Sequence, residues 1–334
     1  MNKRIFFISV ILAFAFNSCR QMPSKYIYNE GFIYGTMYHM VYESPNGKDL
    51  QEEITEKLAG YTKIFSTYDK ESTIAKINNN IDTKLEPEFI ACFKRAEEVS
   101  KITHGAFDIT CGPMVNAWGF GPEEKEKMTP EVIDSLKAIT GYQKVKLENG
   151  KIIKENPHMK LDMSAISKGY TCDLMGDFFR SKGCKNYMVE IGGEVVAKGK
   201  NEKGNIWTIG ISKPDENAFF ASSDYQAKVH LPDHALATSG NYRNFYMENG
   251  KKYAHTIDPK TGYPVQHSLL SSTVLADNCM TADAFATAFM VLGMEDGIEI
   301  VREHPELEVY FIYADKDGKN QVYMSDNFQQ HLVK

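Results

Sequence analysis

Three dipeptides restrict this 334-residue chain more than any other feature: Asn149-Gly150, Asn249-Gly250 and Asp317-Gly318. Each separates two runs of strand-forming residues. Asn-Gly and Asp-Gly favour the positive backbone angles of the tight turns that join antiparallel strands. The flanking runs are Val145–Leu147 with Ile152–Ile153, Asn244–Met247 with Tyr253–His255, and Leu307–Tyr313 with Gln321–Met324. Further strands are expected at Tyr187–Ile191, Ile206–Ile211 and Ser271–Leu275. Helical spacing interrupts them. Leu50, Ile54, Leu58 and Tyr61 recur every three or four residues, with Asp49 as N-cap. Ile90, Phe93, Val99 and Ile102 mark a second helix, with Pro87 near its start, and Thr129-Pro130 opens a third. Ala165–Phe179, Thr281–Leu292 (ending at Gly293) and Glu295–Glu303 complete the set. The expected class is α+β, mixed helices and antiparallel strands. No repeat, low-complexity linker or clean domain boundary interrupts it.

Composition excludes several function classes. Hydrophobic residues make up 43% and charged residues 25%, which suits a globular chain and not a disordered, fibrous or multi-span one. The net charge of −6, without a basic block, argues against nucleic acid as a partner. A chain of this sign that handles phosphates would use backbone N–H groups and a metal ion. The N-terminus reads as a targeting segment. Lys3 and Arg4 precede an uncharged apolar run, Ile5–Phe16, which is too short to span a bilayer. Asn17-Ser18-Cys19 follows and resembles the lipobox of bacterial lipoproteins. That resemblance implies cleavage after residue 18, lipidation of Cys19, and a tether over residues 19–30. It implies an exported protein anchored to the membrane and facing the periplasm. The other five cysteines have no CxxC spacing and are read as buried, unpaired thiols.

Several segments carry candidate chemistry. Asp283 and Thr287 lie four apart on a predicted helix, about 40° apart around its axis, so both oxygens can reach one point. A carboxylate and a hydroxyl suit a hard cation such as Mg²⁺; the bland alternative is a cap and a bond back to a carbonyl. Asp162-Met-Ser-Ala-Ile-Ser-Lys168-Gly169 sits at a strand-to-helix junction, where N–H groups and Lys168 could face a phosphate. Gly192-Gly193 follows a strand, without a Rossmann fingerprint. Thr238-Ser239-Gly240-Asn241-Tyr242-Arg243 joins hydroxyls, glycine and arginine. His255 opens a turn-rich segment and is a candidate proton acceptor. Gly105-Ala106-Phe107-Asp108, with Trp118-Gly-Phe120-Gly121, is either the wall of a planar ligand or a packed corner.

Taken in order, these motifs are specific. Gly35-Thr36-Met-Tyr38, Phe65-Ser-Thr67-Tyr68, GAFDIT, WGFG, LDMSAISKGY, EIGGEVVAKG, ATSGNYR, HTIDPKTGYP and TADAFATAFMVLG together resemble the ApbE family, from about residue 31 to 313. The resemblance implies a single domain over 31–334 with a T-fold-like flavin transferase architecture. It implies an enzyme that takes FAD and Mg²⁺ and transfers FMN to a Thr or Ser hydroxyl of an exported protein, with AMP leaving. The acceptors it suggests are Rnf- or Nqr-type subunits or flavin-dependent reductases. Position by position, Asp283, Thr287 and the backbone oxygen of Ala165 match metal ligands. Tyr68, Ala106, Phe107, Asp108, Asp162, Lys168 and His255 match flavin-nucleotide contacts, and Gly192, Gly193, Ser239, Gly240 and Arg243 lie in family motifs. His255, or else Asp283, would take the acceptor's proton. Tyr34 stands where many relatives carry Met, a departure at a cofactor contact. The rival readings are an FAD pyrophosphatase, a non-catalytic FAD-binding lipoprotein and a two-lobed solute-binding lipoprotein.

Overall fold

The structure is a computed structural model that describes residues 25–214, 225–242, 245–248 and 250–333. The expected leader, Cys19, Asn249 and Arg243 lie outside the described residues. The order is β1 (Lys25–Ile33), β2 (Thr36–Ser44), α1 (Gln51–Phe65), α2 (Thr73–Asn78), α3 (Pro87–Ile102), α4 (Gly112–Ala117) and α5 (Pro130–Ala138). Next come β3 (Val145–Glu148), β4 (Lys151–Lys154), α6 (Ser164–Ser181), β5 (Tyr187–Ile191), β6 (Glu194–Lys198), β7 (Thr208–Ser212) and β8 (Tyr225–His230). The chain closes with β9 (Ala235–Gly240), β10 (Phe245–Glu248), β11 (Lys251–Ala254), β12 (Leu269–Ala276), α7 (Cys279–Leu292), α8 (Met294–Glu303), β13 (Glu308–Ala314) and β14 (Asn320–Met324).

Among the described residues, eight strands form one antiparallel sheet in the order β1-β2-β5-β6-β9-β12-β13-β14. Its two faces are legible in the alternation of side chains. Met40, Tyr42, Val189, Ala237, Val274 and Phe311 enter the main core. Their neighbours Val41, Val195, Leu236, Leu275 and Tyr310 enter a second core with Trp207, Ile211 and Val229. Helices α1, α3, α6 and α7 supply Ile54, Phe89, Phe93, Met175, Phe179, Phe285 and Phe289 to the first. The hairpin β7–β8 covers the second. Cys92, Cys172, Cys184 and Cys279 are buried in the first as small apolar groups.

The expected hairpins form as β3–β4, β10–β11 and β13–β14. Four local expectations are corrected. Residues 25–30, expected in a tether, pair along their length with β2, because Ile27, Asn29 and Ile33 turn one way and Tyr26, Tyr28 and Phe32 the other. The expected strand from Ile206 begins at Thr208; Ile206 makes only an isolated bridge to Lys200. Leu50, not Asp49, is the N-cap of α1, although Asp49 Oδ1 still accepts the Gln51 N–H (2.9 Å). α7 starts at Cys279, two residues early, because Asn278 caps it by accepting the Thr281 N–H (2.9 Å). No described helix is long and apolar enough to cross a membrane.

Candidate functional site

The site is built where α6 meets α7. Gly169 makes this crossing close: a Cβ there would lie 2.2 Å from the Cys279 carbonyl oxygen and 2.7 Å from Asp283 Cβ. Asp283, 1% exposed, accepts the Gly169 N–H at 2.9 Å through Oδ2. That N–H is the one an uninterrupted helix would give to the carbonyl of Ala165. The Ala165 carbonyl, with two lone pairs, keeps acceptor capacity at this crossing. Lys168 Nζ stands 2.9 Å from Glu194 Oε1 and 3.7 Å from Asp283 Oδ1. One turn along α7, Thr287 Oγ1 shares a hydrogen bond with Ser239 Oγ (3.2 Å) at the end of β9. Glu194 opens β6 directly after Gly192 and Gly193, whose φ angles of 63° and 109° suit glycine and close the β5–β6 turn. Gly193 N–H donates to Glu190 Oε1 (2.7 Å).

The electrostatics follow from burial. Desolvation pushes the Asp283 and Glu194 carboxyls up, and the Lys168 ammonium pulls both back. Burial would lower Lys168, but Asp283 and Glu194 outweigh it and hold the ammonium above its usual range. Two buried carboxylates therefore share one ammonium, and Glu194 Oε2 has no hydrogen-bond partner. A second positive group beside them would offset the desolvation of both carboxyls. Among the described residues no three His, Cys, Asp or Glu side chains converge on a cation. A cation here would take a mixed oxygen set, and the Ala165 carbonyl, Asp283 carboxylate and Thr287 hydroxyl are the hard donors that Mg²⁺ prefers.

A second group joins the start of α6 to the loop before α4. Asp162 N–H donates to the Ile109 carbonyl (2.7 Å), and Asp162 Oδ1 accepts the Ser164 N–H (2.8 Å). This places Ala106, Phe107 and Asp108 beside the helix start. The Asp108 carboxylate works inside the loop. It accepts Thr110 N–H (2.8 Å), Thr110 Oγ1–H (2.6 Å) and Tyr142 N–H (2.8 Å), while burial pushes its pKa up.

His255 belongs to an aromatic corner. Its ring meets Phe120 edge-on at 6.3 Å, and Phe120 stacks on Tyr246, Tyr246 on Tyr253, and Tyr253 on Trp118. Trp118 Nε1–H donates to the Gly262 carbonyl (2.9 Å), which locks WGFG against the His255 segment. Gly240 packs on Tyr242. Tyr68 stands apart, 72% exposed. Tyr34, in the β1–β2 turn at φ 52°, shares a hydrogen bond with Thr171 of α6 (3.1 Å). Two residues escaped the reading of the sequence. The sequence signal of Glu194 is a carboxylate opening an apolar strand right after a glycine pair. Asp173 had none, because its partners are backbone groups 106 and 107 residues away.

This arrangement has known counterparts. A model of the ApbE family matches residues 34–311. An FAD:protein FMN transferase of Haemophilus influenzae is 38% identical over 326 residues, 93% of each chain. One from Vibrio cholerae is 36% identical over 323 residues, 94% of this chain and 95% of that one. The solved flavin transferase ApbE from Vibrio cholerae superposes with a TM-score of 0.83 at 36% identity, covering 93% of this chain and all of the other. Fold and matched length together define an enzyme of the transferase class. The chain belongs to the ApbE family.

Proposed function

We propose that this enzyme uses FAD and Mg²⁺ to transfer FMN to a Thr or Ser hydroxyl of an exported acceptor protein, releasing AMP. The observation that carries the reading is the α6–α7 crossing, where hard oxygen donors and a lysine meet in a chain matched over 94% of its length to an FAD:protein FMN transferase. Ala165, Asp283 and Thr287 would hold the cation, which supplies positive charge to the pyrophosphate. Lys168 adds a second positive group beside them, and the N–H groups opening α6 add partial charge. Asp162 is suited to accept a donor of the flavin ring. Ala106 and Phe107 form the wall beside it, shaped by Asp108. Tyr68 offers an exposed ring for stacking, and the Gly192-Gly193 turn and the Ser239-Gly240 end of β9 border the site; the family resemblance adds Arg243.

The transfer forms a bond between the acceptor oxygen and the FMN phosphorus and breaks the bond to the bridging oxygen, which leaves on AMP. The acceptor's proton goes to His255. A ring nitrogen free of metal is a better base than a coordinated carboxylate such as Asp283. Export as a Cys19-anchored lipoprotein facing the periplasm completes the proposal, and it places the enzyme with membrane-bound electron-transfer acceptors.

The test combines purified protein, FAD, Mg²⁺ and an exported acceptor domain bearing the target Thr. Flavin fluorescence of the acceptor in a denaturing gel, dependent on Mg²⁺ and on that Thr, supports the transferase. AMP release without labelling, across several acceptors, makes the enzyme a pyrophosphatase. FAD binding without either product makes it a carrier.

A further inference from the structure

Helices α6 and α7 hold each other's backbones. Asp173 on α6 accepts the N–H of Cys279 through Oδ1 and that of Met280 through Oδ2, both at 2.8 Å. These are the first two residues of α7. In return, Asp283 on α7 accepts the Gly169 N–H of α6 at 2.9 Å. Gly169 itself lies against the Cys279 carbonyl. The crossing is thus keyed by two carboxylates pointing in opposite directions, with a glycine between them. Asn278 satisfies the same helix end differently. Its Oδ1 accepts Thr281 N–H (2.9 Å) from within the turn, so it ties α7 to nothing else.

We propose that Asp173 is a positioning residue for the cation site, setting how far α7 lies along α6 and so where Asp283 and Thr287 meet Ala165. The inference rests on the cation site proposed above. Asp283 lies four residues beyond Cys279, about 6 Å along a rigid helix, so a slide at the helix start reaches the carboxylate undiminished. Mg²⁺ demands oxygens near 2.0–2.1 Å in an octahedron, a tolerance well under one ångström. A partner behind the ligands that shifts them costs roughly 10–100-fold in metal affinity.

The experiment is calorimetric titration of Mg²⁺ into the FAD-loaded protein and four variants. Asp173→Ala is expected to weaken Mg²⁺ by at least about tenfold. Asp173→Asn, whose amide oxygen keeps one of the two bonds, falls between it and the parent, and it also serves if the alanine variant does not fold. Asn278→Ala is expected to lower the Tm yet leave Mg²⁺ affinity within about threefold, because it removes a cap without freeing the crossing. FAD affinity without metal, read from flavin fluorescence, stays within about twofold in all three, since both Asp173 hydrogen bonds go to the α7 backbone. Unchanged Mg²⁺ affinity in both Asp173 variants, or equal weakening by Asn278→Ala, would overturn the proposal. Asp283→Ala separates the two readings: full Mg²⁺ binding there removes the cation site itself, whereas its loss there with none in the Asp173 variants removes only the role of Asp173.

Discussion

Gly169→Ala puts the crossing of α6 and α7 to a direct test. The added methyl would sit 2.2 Å from the Cys279 carbonyl oxygen and 2.7 Å from Asp283 Cβ. Both are rigid parts of α7, so no side-chain rotation relieves them. Comfortable carbon contacts lie beyond about 3.5 Å, so the helices must part by about 1 Å. Overpacking of this kind costs about 1–3 kcal/mol. The Asp283 bond to the Gly169 N–H stretches with it, and a charged hydrogen bond is worth about 1.5–3 kcal/mol. Against this, alanine is about 1 kcal/mol better than glycine inside a helix. The net expectation is a loss of roughly 2–4 kcal/mol, or about 4–8 °C in Tm at the low sensitivity of large chains, about 2 °C per kcal/mol. Thermal unfolding by circular dichroism, with and without Mg²⁺ and FAD, reads the first effect. Mg²⁺-dependent labelling of an acceptor reads the second, which should fall at least tenfold. A Tm equal to or above that of the parent would mean that helix propensity outweighs the contact, and the close crossing would be refuted.

Other outcomes follow from the same contacts. Asp283→Ala should abolish Mg²⁺-dependent transfer while the far-ultraviolet circular dichroism stays unchanged; activity near the parent level at saturating Mg²⁺ removes Asp283 from the ligand set. His255→Ala should keep FAD affinity within about tenfold (~1.4 kcal/mol) yet lose most of the transfer rate, and an equal rate strikes it out as the base. Burial pushes the Asp173 carboxyl up to about 7 despite the two amides it accepts. A carboxyl raised on folding stabilises the protein fully below its unfolded pKa and loses that contribution as pH rises through the folded value. The Tm of the parent should therefore fall from pH 4 to pH 7 more steeply than that of Asp173→Asn; parallel curves over that range would contradict the assignment.

What could be read from the sequence was what is local. Helices with a 3.6-residue stripe and hairpins with Asn-Gly turns declare themselves over a dozen residues. Asp283 and Thr287 were legible because they share one helix, and Asp162 and Lys168 because they flank one helix start. The sheet order was not, because β2 pairs with β5, β6 with β9 and β9 with β12, and those partners are set by the packing of both faces at once. Glu194 shows the same limit. Its role comes from Lys168, which belongs to a different element, and a buried carboxylate looks in sequence like any surface one. Asp173 is the extreme case: backbone amides carry no side-chain signature, so nothing in the letters Cys279 and Met280 announces a partner.

The strand β1 has a mechanical meaning. The strand begins at Lys25. The other end runs into the turn at Tyr34, whose hydroxyl touches Thr171 on the helix that carries Lys168. Nine residues of strand span about 30 Å. If Cys19 carries lipid as proposed, residues 19–24 extend at most about 20 Å. β1 would then act as a boom that sets the Tyr34 turn at a working height of up to about 50 Å above the bilayer. On that proposal an acceptor would present its hydroxyl within that layer, and the enzyme would favour substrates by their altitude over the membrane as well as by the sequence around the modified residue.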